Sequence, residues 1–338
     1  MKKTLVTQLL ILLCGALSAQ DLHFSQFHQS PLLYNPALAG AERQTRLILN
    51  YRDQWRSVDV PFNSFQASAD GILFKSKNRG GRLAAGLNVF YDKALSHVQA
   101  NASIAYHVPV SDRSSLGAGL QFGYAQRSLN PNNLKWGSQF DGNAYNANLP
   151  GGLNNGNESR AFLDMGAGLV WQYRRGEKYM TGNDQRQATV GLALFHPHRP
   201  DQSFYGNEDR LNPRMVFYAD ALLGIANTEL ALCPQLLFAS QGPLTETTIG
   251  LRLRRVFQRE STHTGFLKGK AASIGAAYRV KDAIIPSASI ELGALEIGLS
   301  YDINISSLRS FSRSRGGTEL AIRYMLSRFN KTGSTGRY

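Results

Sequence analysis

His196-Pro197-His198, with Asp201 three residues further on, is the densest group of potential metal ligands in the sequence. Imidazole and carboxylate are donors that zinc accepts, but Pro197 makes convergence of the two rings unspecific. No second ligand pair follows at a recognisable spacing. The pattern therefore predicts solvated loop histidines, with no metal and no other cofactor. His23, His28, His97, His107 and His263 occur singly and read as polar residues of loops or of a polar interior. Nucleophilic chemistry finds no better footing. The sequence has no Gly-x-Ser-x-Gly elbow and no His-Glu-x-x-His helix. Gly151-Gly152 and Gly156 lie in an Asn-rich stretch without the Lys-Ser or Lys-Thr of a phosphate loop. Cys233, between apolar neighbours, reads as a small strand residue. The expectation is a non-enzymatic protein, against which a hydrolase would need a Ser/His or Asp/His group assembled across strands.

The remaining chemistry is charge placed among apolar residues. Asp220 stands between Ala219 and Ala221, Arg252 between Leu251 and Leu253, and Glu296 between Leu295 and Ile297. Lys268, Asp302 and Arg323 are set in the same way. Each charge falls on the phase opposite the apolar one, as in strands with one face in lipid and the other in a polar lumen. An Arg or Lys moved to the lipid face at mid-membrane would cost roughly 2–4 kcal/mol. We therefore expect Arg46, Arg52, Asp70, Asp164, Asp220, Arg252, Glu296, Asp302 and Arg323 to point inward. A salt-bridged, packed interior is the simpler reading of them; a polar conduit or docking surface is the other.

The elements that would hold these charges are strands of an exported protein. Residues 1–19 read as a secretory signal, with Lys2 and Lys3, the apolar run Leu5 to Leu13, and small residues up to Ala19. Bulky Leu13 before Cys14 argues against a lipoprotein. Loss of the signal takes the net charge from +13 to +11. So basic a chain raises the question of nucleic acid, but export points instead to lipid headgroups or an acidic partner. One cysteine remains, so no internal disulfide is possible. No later segment approaches the ~20 apolar residues of a membrane helix, and mean hydropathy is negative.

Alternation supplies the fold. From Gln99 to Val108, Ala100, Ala102, Ile104, Tyr106 and Val108 take one phase, and Gln99, Asn101, Ser103 and His107 the other. The stretches around Leu47–Tyr51, Phe65–Leu73, Leu83–Tyr91, Leu116–Tyr124 and Leu163–Tyr173 obey the same rule. Eight later strands are expected near 187–196, 213–224, 230–240, 246–255, 265–280, 282–291, 295–303 and 318–326. Two stretches, 213–224 and 230–240, do not alternate cleanly, and Pro234 and Pro286 fall inside expected strands, where proline is poorly tolerated. The fold class is all-β: a transmembrane antiparallel β-barrel of about 14 strands. Residues 1–19 form the signal, 20–42 a periplasmic lead-in that can tuck into the barrel mouth, 43–326 the barrel and 327–338 a short tail. The first strand should end at Arg52, with Asp53-Gln54-Trp55 as an outer turn. Residues 128–160, 197–212 and 306–317 fall outside the cell and 75–80, 111–114 and 226–228 inside. Tyr51, Trp55, Tyr91, Tyr106, Trp171, Tyr173, Tyr301 and Tyr324 suit interfacial girdles.

The opening of the mature chain carries a further pattern: Phe24-Ser25-Gln26, Tyr34-Asn35-Pro36-Ala37 with Ala39-Gly40, and Tyr51-Arg52-Asp53-Gln54-Trp55. With Tyr91-Asp92-Lys93, Pro200-Asp201-Gln202-Ser203-Phe204, Tyr301-Asp302-Ile303 and Gly317-Thr318-Glu319-Leu320, the chain resembles the PorP/SprF family of Bacteroidetes type IX secretion outer-membrane proteins. The resemblance implies a barrel in the cell outer membrane that serves protein secretion or gliding motility. Its implied partners are outer-membrane lipid, secreted adhesin-type cargo and periplasmic components of the machinery. It marks Asn35, Pro36, Tyr51, Arg52, Asp53, Trp55, Asp92, Tyr301, Asp302 and Glu319 as signature or partner-binding positions. The competing reading is a channel for small, anionic solutes.

Overall fold

In a computed structural model, residues 21–54, 62–76, 80–93, 96–129, 137–146, 148–149, 158–176, 183–204, 209–259, 269–306 and 315–326 are described. The strands are β1 (Thr45–Gln54), β2 (Phe62–Lys75), β3 (Arg82–Asp92), β4 (His97–Pro109), β5 (Ser114–Leu129), β6 (Glu158–Arg175) and β7 (Arg186–Phe195). They continue as β8 (Arg214–Gly224), β9 (Leu230–Gln241), β10 (Leu244–Gln258), β11 (Lys270–Arg279), β12 (Ala283–Leu292), β13 (Leu295–Asn304) and β14 (Arg315–Leu326). Neighbours in sequence pair antiparallel, and β1 pairs with β14, so all fourteen form a closed barrel with no free edge. Closure satisfies the backbone groups that lipid could not. The longest connections, 130–157 and 196–213, share one end of the barrel; it is taken as the outer end, the short turns 110–113 and 293–294 marking the inner one.

Alternation is visible as burial. In β4 the pattern is strictly alternate from His97 to Val108, with Ile104 and Tyr106 exposed to lipid and His107 and Ser103 buried inside. Several strand ends differ from the sequence expectation. Asp53 and Gln54 continue β1 instead of turning, because Asp53 pairs with Asn63 and Gln54 with Phe62. β14 starts at Arg315, across a bulge from Tyr301 and Ile303. Both prolines sit in strands where one ladder opens. The β8–β9 register skips from Asp220–Gln235 to Leu223–Leu232 beside Pro234. Likewise β12–β13 skips from Ile284–Ile303 to Ser287–Ser300 beside Pro286. A missing N–H costs least where pairing is already interrupted.

The lumen is filled. The expectation for 20–42 is a periplasmic lead-in that can tuck into the barrel mouth; residues 21–44 run through the whole interior. Asp21 sits at the outer end and bonds Gln241, while Arg46, just after the segment, pairs at the inner end with Met325. The segment holds a 3-10 turn at Phe27–Gln29, the single-turn helix α1 (Pro31–Tyr34) and a second 3-10 turn at Pro36–Leu38. Pro31 and Pro36 both open their turns, where a missing N–H is harmless. Asn35 is extended and its Oδ1 accepts from Ala37 N, capping the second turn. Phe24, Phe27, Leu33, Tyr34 and Leu38 of this segment share one apolar cluster with Val216, Tyr218, Leu237 and Ala239. That cluster explains why β8 and β9 do not alternate: their inner face meets an apolar filling instead of water.

Candidate functional site

The contact between residues 21–44 and the barrel wall is the site with the most chemistry. It begins with room. On β3, β5, β6 and β7 the inward positions facing the segment are Gly86, Gly119, Gly168 and Gly191. Gly119 pairs with Gly168 across β5 and β6. A Cβ at Gly119 would stand 2.5 Å from Ala37 N, and one at Gly168 would overlap Asn35 Oδ1. Only a wall without side chains lets the Asn35-Pro36-Ala37 backbone lie this close. Asn35 uses the gap fully. Its Nδ2 donates to Leu169 O at 2.9 Å and to Leu192 O at 3.1 Å, bridging β6 and β7, and the residue is wholly buried.

Polar anchors flank this centre. At the outer end His196, just beyond β7, lies between Asp164 (Nδ1, 2.6 Å) and Asp21 (Nε2, 2.7 Å). Arg214 approaches Asp21 at 3.7 Å, and Gln241 bonds both its backbone N–H and its carboxylate. Burial disfavours the imidazolium, but Asp21 and then Asp164 overcome it and raise His196 to about 9. Burial likewise disfavours the Asp21 carboxylate. His196 outweighs it, with help from Arg214 and Gln241, and the carboxyl stays well below its usual range.

Below this, Glu319 accepts Ser25 N at 2.6 Å and Gln26 N at 2.9 Å. Asp302 takes the Ser25 hydroxyl at 2.6 Å and pairs with Arg52 and Arg279 at 2.9 and 3.1 Å. Arg52 also donates to His23 O, and Arg279 to Ser25 Oγ. Toward the inner end Asn50 holds Gln29 O and Ser30 Oγ, and Gln29 donates to Glu296. Asp70 receives Gly40 N at 2.7 Å and Arg46 at 2.8 Å, while Arg46 also donates to Leu38 O. His107 bonds Ala39 O, and Arg174 bonds Ala41 O and Glu42. Burial works against the Glu42 carboxylate, yet Arg174 keeps it below its ordinary value.

These positions sort the residues singled out in the sequence. Asn35, Pro36, Arg52, Asp302 and Glu319 meet at the segment, as do Arg46 and Asp70, and Asp164 reaches it through His196. Glu296 pairs with Arg323, while Asp220 and Arg252 line a cavity beside the segment. Tyr51 packs on Phe65 with ring centroids 4.8 Å apart, and Tyr301 is exposed to lipid. Asp92 accepts from the Ser64 hydroxyl, and Asp53 is buried in β1. Trp55 and Lys268 lie outside the described residues. His198 bonds Leu163 O, so the two histidines of the His-Pro-His run serve different neighbours. Among the described residues no group of three His, Cys, Asp or Glu forms a metal site. His196, expected as a solvated loop histidine, is instead buried between two carboxylates and anchors the segment, and the inward glycines form its floor. The glycine signal was present, since they share the inward phase of adjacent strands.

A family model, described as type IX secretion system membrane protein PorP/SprF, matches residues 16–324. The chain belongs to the PorP/SprF family. It is accordingly an outer-membrane β-barrel of type IX secretion. No curated protein gives a match. Among solved structures the PorP/SprF chain is similar to CdiB from Acinetobacter baumannii (6% identity, TM-score 0.43), covering 84% of this chain and 60% of that one. It is also similar to a deltaS2 mutant of the TodX monoaromatic hydrocarbon channel (11%, TM-score 0.42; 88% and 93% covered). A third is BamA from Haemophilus ducreyi lacking POTRA domains 1-3 (10%, TM-score 0.40; 84% and 70% covered).

Proposed function

We propose that this protein supports secretion and cell-surface attachment of large adhesin-type cargo, including cargo used in gliding, and that it does so by docking and not by conducting. The observation that carries this reading is the filled lumen: Asn35, Glu319 and Asp302 hold a segment that occupies the interior from end to end. A barrel so filled works through its two rims. On this reading the outer connections, including 130–157, hold cargo, and the inner rim meets periplasmic components of the machinery. The segment 20–42 is then a structural unit whose signature residues Asn35 and Pro36 keep the lumen closed. The decisive experiment deletes the gene and measures adhesin on the cell surface, with the intact gene restored in trans. Loss of surface adhesin, recovered on complementation, is expected; normal display without the gene overturns the proposal. Steady conductance of the reconstituted wild-type protein would instead favour the solute-channel reading.

A further inference from the structure

The segment does not sit centrally. Its second 3-10 turn leans on β4–β6, over Gly119 and Gly168, and between it and the facing wall lies a cavity of about 290 Å3 that reaches the inner rim at Met325 and Gln185. Most charges of that wall neutralise one another: Arg254 pairs with Glu291 at 2.6 Å, and Arg323 with Glu296. Two do not. Among the described residues the side chains of Arg252 and Asp220, both lining the cavity, make no ion pair and no hydrogen bond, and Arg252 Nε is buried. The wall also carries polar atoms that are buried and unpartnered, including the Tyr218 hydroxyl on a side chain only 5% exposed, Gln172 Nε2 and Arg323 Nε. A buried polar group without a partner is costly, and several around one void call for an occupant that supplies the missing bonds.

The chemistry of the gap defines that occupant. Arg252 presents a fork that matches a carboxylate. Asp220, acceptor-only when ionised, calls for a nitrogen donor. The register places Asp220 opposite Gln235 and Gln235 opposite Gly250, two residues before Arg252. Two strand spacings and two residues put the Cα atoms roughly 12 Å apart. Part of that distance is taken up by the side chains themselves. What is left suits a molecule with its charges a few ångströms apart and hydrogen-bonding groups between them.

We propose that this cavity is a binding site for a free amino acid or short peptide entering from the periplasm, its carboxylate on Arg252 and its ammonium group toward Asp220. The site goes beyond the docking role and does not depend on it. Titration calorimetry on the detergent-purified full chain, with alanine, dialanine and trialanine, tests the proposal and tells a single amino acid from a peptide. Saturable binding of at least one is expected. N-acetyl-dialanine, lacking the ammonium, and dialanine amide, lacking the carboxylate, should each bind at least tenfold more weakly. Arg252→Gln should remove the penalty for the amide, and Asp220→Asn the penalty for the acetyl form. Cys233, opposite Arg252 in the β9–β10 ladder and in the cavity wall, gives a readout in the wild-type protein. A sulfonate-bearing thiol reagent should modify it faster than a cationic one, and the tightest-binding ligand should protect it. Absence of binding by all three ligands, equal binding of the blocked forms, or a Cys233 inert to both reagents overturns the proposal. None of these outcomes bears on surface display of cargo.

Discussion

Replacing Asn35 by alanine should open the lumen without unfolding the barrel. The side chain makes three hydrogen bonds: Nδ2 to Leu169 O and Leu192 O, and Oδ1 from Ala37 N. Each contributes about 0.5–1.5 kcal/mol net, and the buried Ala37 N–H is left without its acceptor. The closed segment should therefore lose about 2–4 kcal/mol relative to an opened one, on the order of 30- to 1,000-fold in population, since ~1.4 kcal/mol is tenfold. The ladders joining β5, β6 and β7 are backbone pairings that extend over sixteen and ten residue pairs and that the Asn35 side chain only supplements, so the barrel itself keeps its pairing. Hydrogen exchange read by mass spectrometry separates the two. Amides of residues 24–39 should exchange at least 30-fold faster in Asn35→Ala, while those of β2–β6 change less than threefold. Asn35→Asp should be at least as damaging, because it turns a donor toward two carbonyls into a negative charge. Exchange within threefold of wild type at 24–39, or equal loosening of segment and strands, would refute the reasoning.

Gly168→Val, which overlaps the Asn35 side chain, should expel the segment and produce steady conductance in planar bilayers, where the wild-type protein should be silent; lipid-facing Ala167→Val should change neither. The outer anchor should respond to pH through His196. Its value near 9 exceeds the ordinary 6.5, so its stabilisation is complete below about 6.5 and is lost as pH rises through 9. Asp21 is depressed, so its share is present above its ordinary 3.8 and is lost only as pH falls toward its lower folded value. Protease or exchange protection of residues 21–26 should thus fall between pH 7 and 10, and His196→Gln should flatten that dependence. Asp302→Ala leaves Arg52 and Arg279 buried beside an absent partner. It should cost about 3–5 kcal/mol, seen as a lower urea midpoint in lipid vesicles.

The barrel was legible because a lipid face forces a period of two, and β4 and β5 keep it without error. It failed to show where the inside is not watery. β8 and β9 face Phe27, Tyr34 and Leu38, so Val216 and Leu237 are apolar on the inner phase and the alternation vanishes. Segment 21–44 was readable as a signature but not as a filling, because α1 and its flanking turns are too short to leave a periodic trace. Its contacts join residues far apart in sequence, such as Ser25 to Glu319, which no local pattern records. The prolines pointed correctly to trouble in the strands. Their answer, a gap in one neighbouring ladder, depends on register and so on the closed ring.

The spread of those separations along the segment also sets an order of assembly. At its inner end Gly40 bonds Asp70 and Asn50 bonds Ser30, partners 30 and 20 residues away. Asn35 reaches Leu169 and Leu192, 134 and 157 residues away, and the outer third needs Gln241, Asp302 and Glu319, up to 294 residues away. Contacts between residues distant in the chain form late, since loop closure must come first. The segment's bonds to β1 and β2 therefore form first and those to later strands only as these arrive, so that it acts as a former around which the sheet curls. The β1–β14 seam and the Ser25 and Gln26 contacts with Glu319 close last, after Asp21 has met Gln241 at the end of β9.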